Sequence, residues 1–121
     1  MGCSIDSSRG WIGSSPQVTQ RELLSQIESD TAPVILDVRT PEEYAAGHVP
    51  GAINIHFQEI ESRLDEIVVP NEDSIVIYCE RGIRANKAED ALYAAGFESV
   101  FHLAGDMSNW RRNGLLIEQE D

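Results

Sequence analysis

An apolar run that ends on a cysteine is the most constraining feature of this sequence. Residues 74–79 are SIVIYC, and the next residues, ERGIRANKAEDALYAAG, have the composition of a tight turn followed by a helix. β-branched residues favour a strand, and Gly82 allows the unusual backbone angles of a sharp turn. A strand that passes directly into a helix indicates an α/β fold with a parallel sheet.

Helix start signals mark two further segments. Thr19 with Glu22 and Thr40 with Glu43 have the spacing of capping boxes, and Pro41 occupies the first helical position of the second segment. Short apolar runs in PVILDV, GAINI and SVFHL are predicted strands, and FQEIESRLDEI and DMSNWRRNG are predicted helices. In 121 residues, this alternation predicts one domain whose parallel sheet is covered by helices on both faces.

Charge and cysteine content narrow the functional classes. The formal net charge of −12 argues against nucleic acid and anionic lipid as partners. Cys3 and Cys79 lie in different contexts, so we expect no disulfide between them. The histidines, His48, His56 and His102, are scattered and are expected in turns or on the surface, and we predict no metal site. No apolar run is long enough to span a membrane.

The ends of the chain differ in composition from its middle. We predict a flexible tail over 1–17, a domain over 18–116 and an acidic tail over 117–121. MGC resembles a myristoylation start, but Asp6 replaces the required Ser or Thr. Cys3 could instead follow a lipoprotein signal that has been replaced, or belong to an ordinary disordered start. The default location is the cytoplasm, and the alternative is a bacterial envelope with lipid at Cys3.

The segment CERGIR has the properties of a nucleophile loop. Backbone N–H groups in a tight curl, a helix N-terminus, Arg81 and Arg84 all favour the thiolate form of Cys79 and create an anion-binding bowl. Glu80 opposes them. Asp37 also ends a predicted strand, so it should lie at the same edge of the sheet as Cys79.

With these features, the chain resembles a single-domain rhodanese of the phage-shock-protein-E-like kind. The resemblance rests on ILDVRTPEEYAAGHVPGAINI, IVIYCERGIRANKAEDALYAAGF and LAGDMSNWRRNGL, in that order. It implies a three-layer sandwich around a five-stranded parallel sheet. It also implies a sulfurtransferase that takes sulfane sulfur from thiosulfate, a persulfide or a polysulfide. A Cys79 persulfide would pass that sulfur to a thiol or cyanide, without a cofactor. The implied loop residues are Glu80, Arg81, Gly82, Ile83 and Arg84.

The resemblance assigns lesser roles outside the loop. Arg84 should bind donor oxyanions or orient the loop. Asp37 and Arg39 should form an ion pair that supports the sheet edge. His48 should support a turn, and Trp110 should be a core residue or line the pocket mouth.

Three residues depart from the family pattern. Glu80 replaces a commonly basic residue, Ala85 a Ser or Thr, and Asp106 the second glycine of a Gly-Gly pair. Because Glu80 and Asp106 add negative charge, thiosulfate could be a poorer donor than a persulfide or polysulfide.

Other functions are compatible with parts of the pattern. Cysteine phosphatases and arsenate reductases share this fold, but their loops place one more residue between cysteine and arginine than the four found here. A non-catalytic binding module typically lacks the cysteine. A persulfide carrier would pass sulfur from Cys79 to a protein partner. We expect a monomer in each case.

Overall fold

The computed structural model describes residues 15–69 and 73–120. The strands are β1 (Gln17–Val18), β2 (Val34–Asp37), β3 (Ile53–Asn54), β4 (Ile75–Tyr78) and β5 (Val100–Leu103). The helices are α1 (Gln20–Glu28), α2 (Pro41–Ala46), α3 (Ile83–Ala94) and α4 (Asp106–Arg112), with 3₁₀ turns at Phe57–Glu59 and Glu61–Glu66. All strand pairs are parallel, in the order β1-β5-β4-β2-β3.

The central strand β4 shows why the molecule has three layers. Ile75 and Ile77 pack into one hydrophobic core, whereas Val76 and Tyr78 pack into the other. Alternate residues of a strand point to opposite faces, so a strand buried on both faces needs apolar side chains throughout. Helix α3 covers the first core, and α1 and α4 cover the second. The predicted fold class is confirmed.

Both predicted capping boxes are present. The amide of Glu22 donates to the Thr19 hydroxyl at 3.0 Å, and the Thr19 amide donates to Glu22 at 2.9 Å. Thr40 and Glu43 make the same reciprocal pair at the start of α2. These bonds satisfy amides that a helix N-terminus otherwise leaves without partners.

The segment FQEIESRLDEI does not form the predicted α-helix. It forms two 3₁₀ segments, and Arg63 inside the second of them has a non-helical φ of −126°. The apolar spacing did not distinguish an α-helix from a 3₁₀ helix, because residues three positions apart lie on the same face of both. Ile60 and Ile67 still reach the core, while the side chain of Arg63 pairs with Glu59 and Glu66 at the surface.

Parts of the predicted tails pack against the domain. The carbonyl of Pro16 accepts the His102 amide at 2.9 Å, and the backbones of Glu118 and His48 exchange two hydrogen bonds of 2.9 Å. Residues 15–17 and 117–120 therefore belong to the folded unit, unlike the expectation for 1–17 and 117–121. The expectations for residues 1–14, including Cys3, lie outside the described residues. No helix within the described ranges is long and apolar enough to cross a membrane.

Candidate active site

Cys79 follows β4 directly and is 1% exposed. Its predecessor Tyr78 is in register with Asp37, the last residue of β2. The two predicted site residues Asp37 and Cys79 thus lie at the carboxyl ends of neighbouring parallel strands, at the same edge of the sheet. Ligand sites of open α/β sheets form at this edge.

The turn after Cys79 is built around Gly82. Its φ of +114° lies in a region that side chains other than glycine rarely adopt. In this conformation the Gly82 amide donates a hydrogen bond of 2.9 Å to the sulfur of Cys79. Helix α3 begins at the next residue, Ile83. An amide donor and a helix N-terminus beside a sulfur stabilise a thiolate or another sulfur anion.

Helix α4 fixes the first two residues of the loop. The carboxylate of Asp106 accepts the Cys79 amide at 3.0 Å. The amides of Met107 and Ser108 donate to the carbonyls of Cys79 and Glu80, both at 3.0 Å. The loop is therefore held by hydrogen bonds on its backbone, which leave the sulfur of Cys79 to interact with Gly82.

Arg84, the second residue of α3, extends toward α2. Its guanidinium binds both carboxylate oxygens of Glu43, at 2.7 and 3.0 Å. The hydrogen bonds from Arg84 lower the pKa of Glu43 to about 2, with a further contribution from Thr40. The pair connects the loop to the capping box of α2, and this contact was not foreseen from the sequence.

Arg39 and Asp37 form the ion pair that the sequence predicts. Both side chains are buried, and two nitrogens of Arg39 contact the carboxylate, the closest at 2.8 Å. Arg39 also donates to the carbonyl of Gly47 at 2.7 Å. The Tyr78 hydroxyl donates to Asp37 at 2.8 Å, and burial together with the Asp37 charge raises the pKa of Tyr78. This network supports the sheet edge beneath the loop.

The negative charge of Glu80 is balanced more fully than the sequence suggested. Its carboxylate lies 3.2 Å from a nitrogen of Arg39 and also pairs with Arg111 of α4. Arg111 was not identified from the sequence, because it lies 31 residues away and meets Glu80 only through packing. Two guanidinium groups therefore offset the charge that was expected to weaken the anion site.

Three other residues that the sequence analysis singled out are buried: His48, Ala85 and Trp110. His48 stacks on Tyr44, with ring centroids 3.7 Å apart, and its Nδ1 lies 2.7 Å from the Tyr44 carbonyl. Trp110 is fully buried and donates to the Leu116 carbonyl, so it is a core residue. Ala85 of α3 is buried in the same hydrophobic core as Cys79.

The histidines were expected in turns or on the surface, and this is wrong for His102, which lies in β5; His48 does lie in the connection between α2 and β3. His48 and His102 are both buried. His102 lies between two carboxylates, Glu89 and Asp106. The sequence carried no signal for this cluster, because its members come from three different elements. Ile83 and Arg81 are exposed at the rim of the loop.

The sequence of this chain is similar to those of known proteins. The model of the Rhodanese-like domain matches residues 19–113. A sulfurtransferase of Allochromatium vinosum is 40% identical, over 79% of this chain and 89% of that protein. Thiosulfate sulfurtransferase 16, chloroplastic, of Arabidopsis thaliana is 35% identical, over 66% and 75% of the two chains. A putative sulfur carrier protein of Bacillus subtilis, YrkF, is 35% identical, and this chain spans 50% of its length.

Solved structures share the fold. The BH2092 protein of Bacillus halodurans superposes with a TM-score of 0.77 at 25% identity, over 97% of this chain and 87% of that one. A rhodanese-related protein of Thermoplasma volcanium has a TM-score of 0.74 at 23% identity, over 87% of this chain and 99% of that one. Both superpositions cover most of each chain, so the three proteins share one fold.

Proposed function

Because this chain belongs to the family of rhodanese-like domains and is related to sulfurtransferases, we propose that it transfers sulfane sulfur through a persulfide on Cys79. The observation that carries the proposal is the hydrogen bond from the Gly82 amide to the Cys79 sulfur. This donor is preorganised by the turn, so it can stabilise negative charge on sulfur without rearrangement during the reaction.

The proposed reaction is a double displacement. The Cys79 thiolate attacks the outer sulfur of thiosulfate, the sulfur–sulfur bond of the donor breaks, and its electron pair leaves with sulfite. A persulfide anion then remains on Cys79. An acceptor such as cyanide attacks the outer sulfur, leaves as thiocyanate and regenerates the thiolate. Atoms and charge balance in both steps, and covalent catalysis of this kind needs no external redox partner.

The donor has a candidate entrance on the α2 side of the loop. A surface pocket there is lined by Arg39, Glu43, Glu80 and Arg111. The guanidinium groups of Arg39 and Arg111 would attract an anionic donor, while Glu43 and Glu80 moderate that field. Arg84, held by Glu43, would either contact donor oxygens or orient the loop. Thiosulfate and less charged persulfides or polysulfides are both candidate donors.

A persulfide carrier is the second candidate. Cys79 is 1% exposed, whereas the neighbouring Ile83 is 73% exposed and presents an apolar side chain at the rim of the loop. An exposed apolar residue beside a buried nucleophile would suit delivery of sulfur to a protein thiol. The B. subtilis relative is named a putative sulfur carrier protein, which supports the carrier as the second candidate.

Turnover separates the two candidates. Thiocyanate formation from thiosulfate and cyanide would be measured for the wild type and for Cys79→Ser. A sulfurtransferase should show steady turnover with double-displacement kinetics, all of it lost in Cys79→Ser. A carrier should accept one sulfur atom but release it slowly to cyanide. Thiocyanate formation that persists in Cys79→Ser would contradict both proposals.

A further inference from the structure

Three buried ionisable side chains form a cluster behind the loop. The Nδ1 atom of His102 (β5) lies 2.6 Å from the carboxylate of Glu89 (α3). Its Nε2 atom lies 2.9 Å from both carboxylate oxygens of Asp106 (α4). Glu89 is fully buried, and His102 and Asp106 are nearly so. Ionisable groups are rarely buried unless they are paired in this way.

The cluster binds Cys79 at the start of the loop and lies beside Gly82. One oxygen of Asp106 accepts the amide of Cys79 at 3.0 Å. The other lies 3.3 Å from the position that a Cβ atom on Gly82 would occupy, and the His102 ring lies 3.6 Å from that position. The same carboxylate therefore binds the residue that bears the sulfur and lies beside the residue that donates to that sulfur.

Asp106 adopts a backbone conformation that favours glycine. Its φ is +52°, and it occupies the position where the family resemblance leads one to expect a second glycine. A residue other than glycine in this region is uncommon and is maintained only where the surroundings compensate for it. The compensation here comes from the side chain, through its bonds to Cys79 and His102.

His102 carries the positive charge that the cluster needs. Burial alone would lower its pKa, but the hydrogen bonds that His102 donates to Asp106 and Glu89 raise the pKa of His102 to about 10. Other groups face the cluster: Ser15 donates to Glu89, the Tyr93 hydroxyl contacts Ser15, and Arg81 lines a cavity together with His102. An imidazolium between two carboxylates avoids leaving both of them as uncompensated buried charges.

We propose that Glu89, His102 and Asp106 form a positioning network, in which His102 orients the Asp106 carboxylate so that it holds the Cys79 loop in the geometry that accepts sulfur. The inference rests on the proposed function for its kinetic consequence. None of the three residues needs to touch the donor. They act through the backbone of Cys79 and Gly82.

The test combines loop protection with single-turnover kinetics in a Cys3→Ser background. The variants are Asp106→Gly, which removes the carboxylate at a glycine-favouring position, Asp106→Asn, which retains an oxygen acceptor, and His102→Gln. Asp90→Asn, on the exposed side of α3, is the matched control for the loss of one carboxylate. Amide exchange of Cys79 is followed by NMR, and persulfide formation by rapid mixing with thiosulfate.

In Asp106→Gly we expect Cys79 amide protection and the rate of persulfide formation per folded molecule each to fall about tenfold or more, because a buried amide loses its acceptor. His102→Gln should show a smaller loss of both, Asp106→Asn should recover part of each, and Asp90→Asn should match the wild type. Wild-type protection or a wild-type rate in Asp106→Gly would overturn the proposal. A wild type that takes no sulfur would overturn the proposed function instead, and the exchange data would still decide whether the network holds the loop.

Discussion

The amide of Gly82 donates a hydrogen bond of 2.9 Å to the sulfur of Cys79, and it can do so because Gly82 has a φ of +114°. The backbone conformation and the electrostatics of the sulfur are therefore properties of one turn. A side chain at position 82 would also meet Asp106 at 3.3 Å.

Gly82→Ala should lower both stability and the rate of sulfur uptake. An L-residue in the left-handed region costs about 1–2 kcal/mol, and relaxation of the turn would move the Gly82 amide away from the sulfur. Urea denaturation and single-turnover persulfide formation measure the two effects. Gly96→Ala is the control, because Gly96 has a φ of +100° with open space around it. It should lose similar stability and keep the wild-type rate; equal rate losses in the two variants would contradict the role of Gly82.

Glu43→Gln should remove a contribution to stability that the wild type has near neutral pH and loses at acid pH. The pKa of Glu43 is lowered to about 2 in the folded protein, from an ordinary value of 4.5. The contribution is therefore complete above pH 4.5 and is lost as the pH falls through about 2. The unfolding free energy of the wild type should exceed that of Glu43→Gln at about pH 6, and the difference should shrink toward about pH 3. A constant difference would argue against the Arg84–Glu43 pair as its source.

Arg111→Gln should weaken thiosulfate binding by leaving the charge of Glu80 less compensated. We expect a higher KM for thiosulfate in the variant, and we expect added salt to reduce this difference from the wild type because salt screens the charge of Glu80. The free energy of unfolding should change by only about 0–1 kcal/mol, because the pair is partly exposed. Arg112→Gln removes the same charge from the next residue of α4 and serves as the control. Equal KM values for the two variants would mean that overall charge, rather than the pair with Glu80, controls donor binding.

Arg39→Leu should be more destabilising than Tyr78→Phe. Removing Arg39 leaves the Asp37 carboxylate buried without its partner, which costs about 3–5 kcal/mol. Tyr78→Phe removes one hydroxyl that donates to Asp37 and accepts from Val49, at about 1–3 kcal/mol. Denaturant titration of both variants, with Arg63→Leu at a half-buried surface position as the control, gives the comparison. An Arg39→Leu protein as stable as the control would show that the pair does not support the sheet edge.

The features that the sequence predicted are those set by neighbours in the chain. Capping boxes, the strand that ends at Cys79 and the turn at Gly82 depend on a few consecutive residues, and the structure contains all of them. The contacts that it did not predict join distant residues. Glu80 meets Arg111, and His102 meets Asp106 and Glu89, only after the sheet, α3 and α4 have packed together.

The charge around the sulfur also depends on contacts between distant residues. Glu80 and Asp106 are two extra negative charges when the sequence is considered alone. In the folded chain each lies against a positive partner, Arg39 or His102. The net field at the sulfur depends on these pairs, so a count of charged residues could not predict it.

The most direct test of the central claim is an intact mass measurement after brief exposure to thiosulfate. It would be made on the Cys3→Ser protein and on the same protein with Cys79→Ser added, and repeated with a polysulfide. The account predicts a gain of one sulfur atom that requires Cys79 and disappears when cyanide is added. No gain from either donor, or a gain that survives in Cys79→Ser, would contradict it.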